Sequence, residues 1–156
     1  MVFSTAIYRS WEKKQLQKYE ALYPSIKGYL KKSFSVLDMG IGKAWLESHL
    51  EKKGLKFKEI IGIDVDEAMI RPQKRGITYF ITNEFMTARK FDLVICFDTL
   101  HLLPEPRRLL EYSKNLVLVS LPKAFEGQLE VFRNQKVLEE GDIGEEEKDH
   151  FLLIRV

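Results

Sequence analysis

The run Glu59-Ile60-Ile61-Gly62-Ile63-Asp64 has almost no polar interruption. A stretch of this kind is buried on both faces, as a strand of a parallel sheet is. Five further apolar runs follow the same logic: Phe34–Leu37, Ile77–Ile81, Phe91–Phe97, Leu116–Leu121 and Phe151–Val156. Between several of them the spacing turns helical. Trp11, Gln15, Tyr19, Leu22 and Ile26 recur at helical spacing, so the first thirty residues predict one or two helices, with Pro24 opening the second. Leu46 and Leu50 share one face of a helix that Gly54 ends. Asp66 is placed to cap a short helix through Ile70, which Pro72 interrupts. Further helices are predicted over residues 104–114 and 125–139, and a weak sixth strand around Glu145. Alternating strands and helices give an α/β fold: a Rossmann-like, seven-stranded, mostly parallel sheet with helices on both faces. The last two strands are too close in sequence for a crossover, so they must pair antiparallel.

The 156 residues suffice for one domain, read as a helical lid over residues 1–32 and a core over residues 33–156. No apolar run approaches the ~20 residues that span a bilayer, and the N-terminus lacks a signal-peptide pattern. Cys96 is the single cysteine, which excludes an internal disulfide. A cytoplasmic protein with no membrane association is the expectation. Charge is uneven: residues 1–75 hold 15 Lys+Arg against 9 Asp+Glu, and the remainder 10 against 14. A solvated surface accounts for this; a basic face attracting RNA is the sharper alternative, unsupported by any aromatic-laced cluster.

Function is concentrated in the first strand-to-helix turn, Val36-Leu37-Asp38-Met39-Gly40-Ile41-Gly42-Lys43-Ala44. A P-loop would need glycine at position 37 and Ser or Thr at position 44, where Leu37 and Ala44 stand. A dinucleotide fingerprint would need a small residue where Trp45 stands. A plain turn would explain two glycines, but not an acid ending an apolar strand. The stretch resembles the first motif of the class I S-adenosylmethionine-dependent methyltransferases, an acid followed by alternating glycines. Asp38, Gly40 and Gly42 match, and Ala44 replaces the common third glycine. The resemblance runs from Val36 through Val156, including the fourth-strand stretch Phe91–Pro104.

The resemblance implies S-adenosyl-L-methionine as cofactor and methyl transfer as activity. The alternative is a cofactor-binding module that does not catalyse, acting within a larger assembly. Glycines allow close backbone approach, and Asp38 can attract an ammonium group. Asp64 ends the second strand, where the family's acid accepts the ribose hydroxyls; alone it would equally suit a helix cap. Ile63 and Val65 would flank the adenine, and Asn83 or Glu84 would meet its amino group. Phe97 joins them as a cofactor contact. Tyr8, Trp11 and Tyr19 resemble the family's variable lid and, with Asp98, would line the acceptor pocket.

Methyl transfer needs alignment and exclusion of water, and a base only if the acceptor must lose a proton. His101 is the base candidate, against a structural role in its loop; Asp98 is a candidate for substrate contact, against a role as a loop cap. Cys96 inside an apolar strand reads as inert core. His49 and His150 are joined by no Cys or Asp cluster in the sequence, so no metal site is expected. The acidic segment 139–149 reads as a soluble edge that discourages strand pairing. The acceptor itself is not written in the chain.

The link between the third and fourth strands is short. In the strand order that the resemblance implies, it passes two intervening strands, a diagonal of roughly 22 Å; eight extended residues reach roughly 26 Å, so the link must run nearly straight with little or no helix. One strip of the sheet would then lack cover, which predicts a homodimer, or docking to another protein, near Phe85 and Met86.

Overall fold

The computed structural model describes residues 5–30 and 33–156; the side chains of residues 1–6 and of Tyr8 lie outside the described set. Seven strands form one sheet: β1 (Ser33–Met39), β2 (Lys56–Asp64), β3 (Ile77–Ile81), β4 (Phe91–Phe97), β5 (Ser113–Pro122), β6 (Lys136–Ile143) and β7 (Asp149–Arg155). Their order across the sheet is β3-β2-β1-β4-β5-β7-β6. The pairs from β3 to β5 are parallel, and β7 runs antiparallel to both its neighbours. Every strand that sequence reading placed by an apolar run is present.

Two α-helices, α1 (Thr5–Tyr29) and α2 (Trp45–Lys52), pack on one face. Tyr19, Leu22 and Ile26 of α1 meet Leu46 and Leu50 of α2 over Val36, Ile60, Leu93 and Leu118. The opposite face carries short 3-10 segments at Leu100–Leu102, Pro106–Leu110 and Lys123–Phe132. Leu109, Leu129 and Phe132 pack there against Val94, Val117 and Ile154.

Several local expectations are corrected. The first thirty residues hold one helix, not two: Pro24 lies inside α1. Burial of Tyr19 before it and Ile26 after it on one core face carries the helix through. Residues 67–70 make a turn rather than a helix, with Asp66 accepting from Ala68 N–H at 2.9 Å. The helix expected over 104–114 is a single 3-10 segment, because Ser113 already belongs to β5. The helix expected over 125–139 stops at Phe132, and residues from Lys136 onward form β6. The sixth strand therefore precedes Glu145, and residues 139–143 of the acidic segment are paired in it. β6 is an outer edge of the sheet, where charged side chains blunt further pairing.

The β3–β4 link contains no helix and passes β2 and β1. Phe85 turns inward from it, its carbonyl accepting from Tyr112 Oη–H at 3.2 Å. Phe80 and Met86 stay exposed, at 46% and 68%. Among the described residues no helix is long and apolar enough to cross a membrane.

Candidate functional site

The carboxyl ends of β1, β2, β4 and β5 converge on one rim of the sheet, the place where open α/β sheets bind ligands. A cavity of about 730 Å³ lies there. Asp38, Gly40 and Gly42 form its floor, Trp11, Gln15, Lys18 and Tyr19 of α1 cover it, and Phe97, Asp98 and Asp149 close the far side. A smaller cavity continues past Met39 and Gly40 to Ile63, Asp64, Val65, Asn83 and Leu103.

The turn after β1 is held by backbone geometry. Gly40 N–H and Ile41 N–H both donate to Ile63 carbonyl oxygen, at 2.7 and 3.0 Å. Gly40 has φ +91°, and a side-chain carbon there would overlap Thr99, whose hydroxyl donates to Met39 carbonyl oxygen at 2.9 Å. The absence of a side chain at Gly40 thus serves the packing of the loop after β4 against the end of β1, where sequence reading assigned it to ligand approach alone. Gly42 differs, since a side chain there would meet only Met69 at 3.8 Å. Ala44, standing where the family's third glycine is common, keeps a glycine-like backbone at φ 55°.

Asp64 is the brace of this turn. One carboxylate oxygen accepts from Gly42 N–H at 2.8 Å and the other from Asp66 N–H at 3.0 Å. Each oxygen keeps a second lone pair for a ligand hydroxyl.

Asp38 is buried, and its Oδ1 has no hydrogen-bond partner. Burial raises its carboxyl well above the ordinary range, and the facing Glu47 raises it further. Glu47, on α2, is wholly buried, and its carboxyl lies close enough to that of Asp38 to share a proton with it; burial raises it too. Among the described residues neither acid has an ion pair. Removing a charge from water without a partner is costly, so sharing a proton is favoured over two adjacent charges.

A second acidic pair faces it across the cavity. Asp98 follows β4 in the left-handed region at φ 62°. Its Oδ2 accepts from Gln15 Nε2–H at 3.2 Å, while Oδ1 is buried without a partner. Burial, with Asp149 beside it, pushes Asp98 up to about 8. Asp149 is buried and fully bonded: Lys18 Nζ donates at 3.0 Å and Ser120 Oγ at 3.1 Å. Tyr19 sits among these acids, its hydroxyl raised by burial and then by Glu47, Asp38, Asp98 and Asp149.

The structure therefore gathers Trp11, Tyr19, Asp38, Gly40, Gly42, Phe97 and Asp98 around one cavity, and Asp64, Val65 and Asn83 around its extension. Phe97 stands on the α1 side, its ring edge-on to Tyr19 at 5.3 Å. Glu84 turns away and lines a separate apolar groove with Phe85 and Arg108. His101 is not among the cavity-lining residues; it is exposed and stacks on Phe125 at 5.4 Å. Asp98, expected as a substrate contact, does line the cavity. Tyr8 belongs to the described helix, but its side chain lies outside the described set. Cys96 is buried, its thiol pushed up to about 12 by burial. His150 does meet acids, contrary to the reading that none joins it: Asp142 lies at 2.7 Å and Glu140 at 3.1 Å. Those carboxylates are already shared with Lys123 and Arg133.

Gln15, Lys18, Glu47 and Asp149 were missed by sequence reading. Glu47 carried a signal, since it lies three residues before Leu50 and so shares its buried helical face. Lys18, next to Tyr19 in the apolar phase of α1, carried a fainter one.

The whole architecture recurs among solved structures. An S-adenosylmethionine-dependent methyltransferase from Aquifex aeolicus superposes with a TM-score of 0.69 at 16% identity, covering 99% of this chain and 100% of that one. The ribosomal protein L11 methylase from Lactobacillus delbrueckii subsp. bulgaricus gives 0.69 at 18% identity, with 88% and 77% coverage. Magnesium protoporphyrin IX methyltransferase from Synechocystis gives 0.69 at 14%, with 99% and 89% coverage. The fold is thus that of the class I methyltransferases. No curated protein matches the sequence. The family model described as a methyltransferase domain matches residues 8–124, and the chain belongs to that family.

Proposed function

We propose that the protein binds S-adenosylmethionine along the carboxyl ends of β1 and β2 and transfers its methyl group to an acceptor entering beneath α1. One observation carries this: Asp38, a buried acid with no ion pair among the described residues, lines a cavity large enough for cofactor and acceptor together. The cofactor's ammonium group supplies the missing cation. Asp64 would accept the ribose hydroxyls on its free lone pairs while holding Gly42. Ile63 and Val65 would sandwich the adenine, with Asn83 at its edge. When bound, the cofactor supplies a methyl group already made electrophilic by its sulfonium charge.

The chain's own contribution is placement. α1 closes the cavity from above with Trp11 and Tyr19, and Phe97 and Asp98 form the wall an acceptor meets. Alignment and exclusion of water lower the barrier to an in-line displacement. Lys14, Lys43, Lys123 and Lys148 stand at the mouth.

Isothermal titration of the full chain with S-adenosylmethionine, S-adenosylhomocysteine, ATP and NAD tests the reading. Binding of the first two alone is expected. Equal affinity for ATP or NAD would make it a general nucleotide-binding protein instead.

A further inference from the structure

The two edges of the sheet are guarded differently. β6 carries Lys136, Glu139, Glu140 and Asp142, and charges of this kind discourage a further strand. β3, the opposite edge, reads Ile77-Thr78-Tyr79-Phe80-Ile81, with no charge, proline or glycine. Phe80 and Ile81 stand half exposed on it.

Hydrogen bonding fixes which backbone groups face outward. Thr82 N–H donates to Asp64 carbonyl oxygen on β2 at 2.9 Å. Backbone groups alternate sides along a strand, so Thr78 and Phe80 also bond to β2. The N–H and C=O groups of Ile77, Tyr79 and Ile81 point the other way. Among the described residues nothing bonds them there. A row of free donors and acceptors on an uncharged strand is a template for another strand.

The strand is complementary to itself. Turned antiparallel about Tyr79, two copies place Ile77 opposite Ile81 and Thr78 opposite Phe80. Outward-facing residues then meet outward-facing residues, as an antiparallel pair requires. Ile77, Tyr79 and Ile81 each donate to and accept from the other copy. The isoleucines pair on one face of the sheet. Thr78 and Phe80 pair on the other, where Phe80 leans on Phe85 at 5.8 Å.

The ends of the strand match in charge. Lys74 and Arg75 precede it and Glu84 follows it. Lys74 is held by Glu51 at 2.8 Å, whereas Arg75 and Glu84 are exposed and have no ion pair among the described residues. Antiparallel pairing carries each Arg75 to the end of the strand where the other copy holds Glu84. Parallel pairing would bring like charges together at both ends.

We infer that two copies of the chain join antiparallel through their β3 strands, so that two seven-stranded sheets become one. The contact expected near Phe85 and Met86 moves onto the strand beside them. β3 leads directly into Thr82 and Asn83, which line the extension of the cavity, so the pairing braces one wall of it.

The full chain is followed by sedimentation velocity and by amide hydrogen exchange resolved to single residues, each over a range of protein concentration. A dimer is expected at the higher concentrations, with exchange at Ile77, Tyr79 and Ile81 slowing as it forms. Thr78 and Phe80, bonded within the chain, should exchange slowly throughout. Ile81→Lys sets a charge on the exposed edge and should leave a folded monomer, its fold checked by circular dichroism. Arg75→Glu and Glu84→Arg are surface changes that should each weaken the dimer about tenfold, and combining them should restore it. A wild-type monomer at every concentration overturns the inference, whether or not some other protein takes the edge. A dimer in which the three outward amides stay fast joins through another face and overturns it too. So does a charge-swapped double variant that dimerises no better than its parents.

Discussion

Asp38 with Glu47, and Asp98 with Asp149, are buried carboxyl pairs at the same rim of the sheet, yet they are stabilised in opposite ways. The first has no ion pair among the described residues and depends on protons or on a ligand for neutrality. The second carries its own cation, Lys18, on one member, while the other is held by Gln15 and raised by burial beside Asp149. The first pair is thus unfinished without protons or a ligand, whereas half of the second is finished in the fold. Lys18 lies on α1, so that helix is part of the site's electrostatics as well as its roof. The expectation of a lid separable from the core is weakened accordingly, because Tyr19 and Leu22 of the same helix are core residues.

The sharpest way to break this contrast is Lys18→Met. It strands Asp149 beside Asp98, and loss of one partner from a buried pair costs about 3–5 kcal/mol. Urea denaturation should show that loss, and restoration of most of it in Lys18→Met with Asp149→Asn would confirm its origin.

Asp64→Ala removes the acceptor of the Gly42 and Asp66 N–H groups together with the two ribose contacts proposed for it. Charged hydrogen bonds contribute about 1.5–3 kcal/mol each, so calorimetry should find cofactor affinity reduced about tenfold or more. Unchanged affinity would remove Asp64 from the site.

The second pair should leave its mark on stability. Asp98 titrates at about 8 in the fold, against about 4 in an unfolded chain. The native state therefore holds a proton that the unfolded state has released, and wild-type stability falls as pH rises across that window. Asp98→Asn is free of this loss. The two proteins should melt alike near pH 4, and the variant should gain an increasing advantage up to pH 8. A gap independent of pH would mean that Asp98 is not raised.

Ala44→Gly is the mildest change. Relief of the left-handed backbone, about 1–2 kcal/mol, is offset by the lost methyl group and by a looser unfolded chain. Stability should stay within about 1 kcal/mol, and cofactor affinity should not move.

The two pairs also differ in how well the sequence announces them. Asp38 and Asp64 end apolar strands, and adjacent parallel strands bring such ends together, so the pattern is local and readable. The acceptor wall is assembled from residues 15, 18, 98, 120 and 149, drawn from four elements whose meeting depends on β7 inserting between β5 and β6. No spacing along the chain encodes that. The misplaced helices share one cause: residues 104–114 and 125–139 mix helix-forming side chains with the ends of strands, and pairing in the sheet overrides local preference. His101 was attractive by residue type and position, but its ring turns outward onto Phe125.

The contact between Gly40 and Thr99 has a consequence for the protein's history. At φ +91° and under Thr99, Gly40 cannot accept even alanine without overlap. Replacement of Thr99 by a smaller residue would remove the steric conflict, though at the cost of the hydroxyl's bond to Met39 and with the backbone strain still in place. Substitutions at the two positions are therefore contingent on order: Thr99→Ala followed by Gly40→Ala passes through a mildly impaired protein, and the reverse order through a severely damaged one. Lineages descended from this sequence should change position 99 before position 40, and reconstructing the four combinations would measure that epistasis directly.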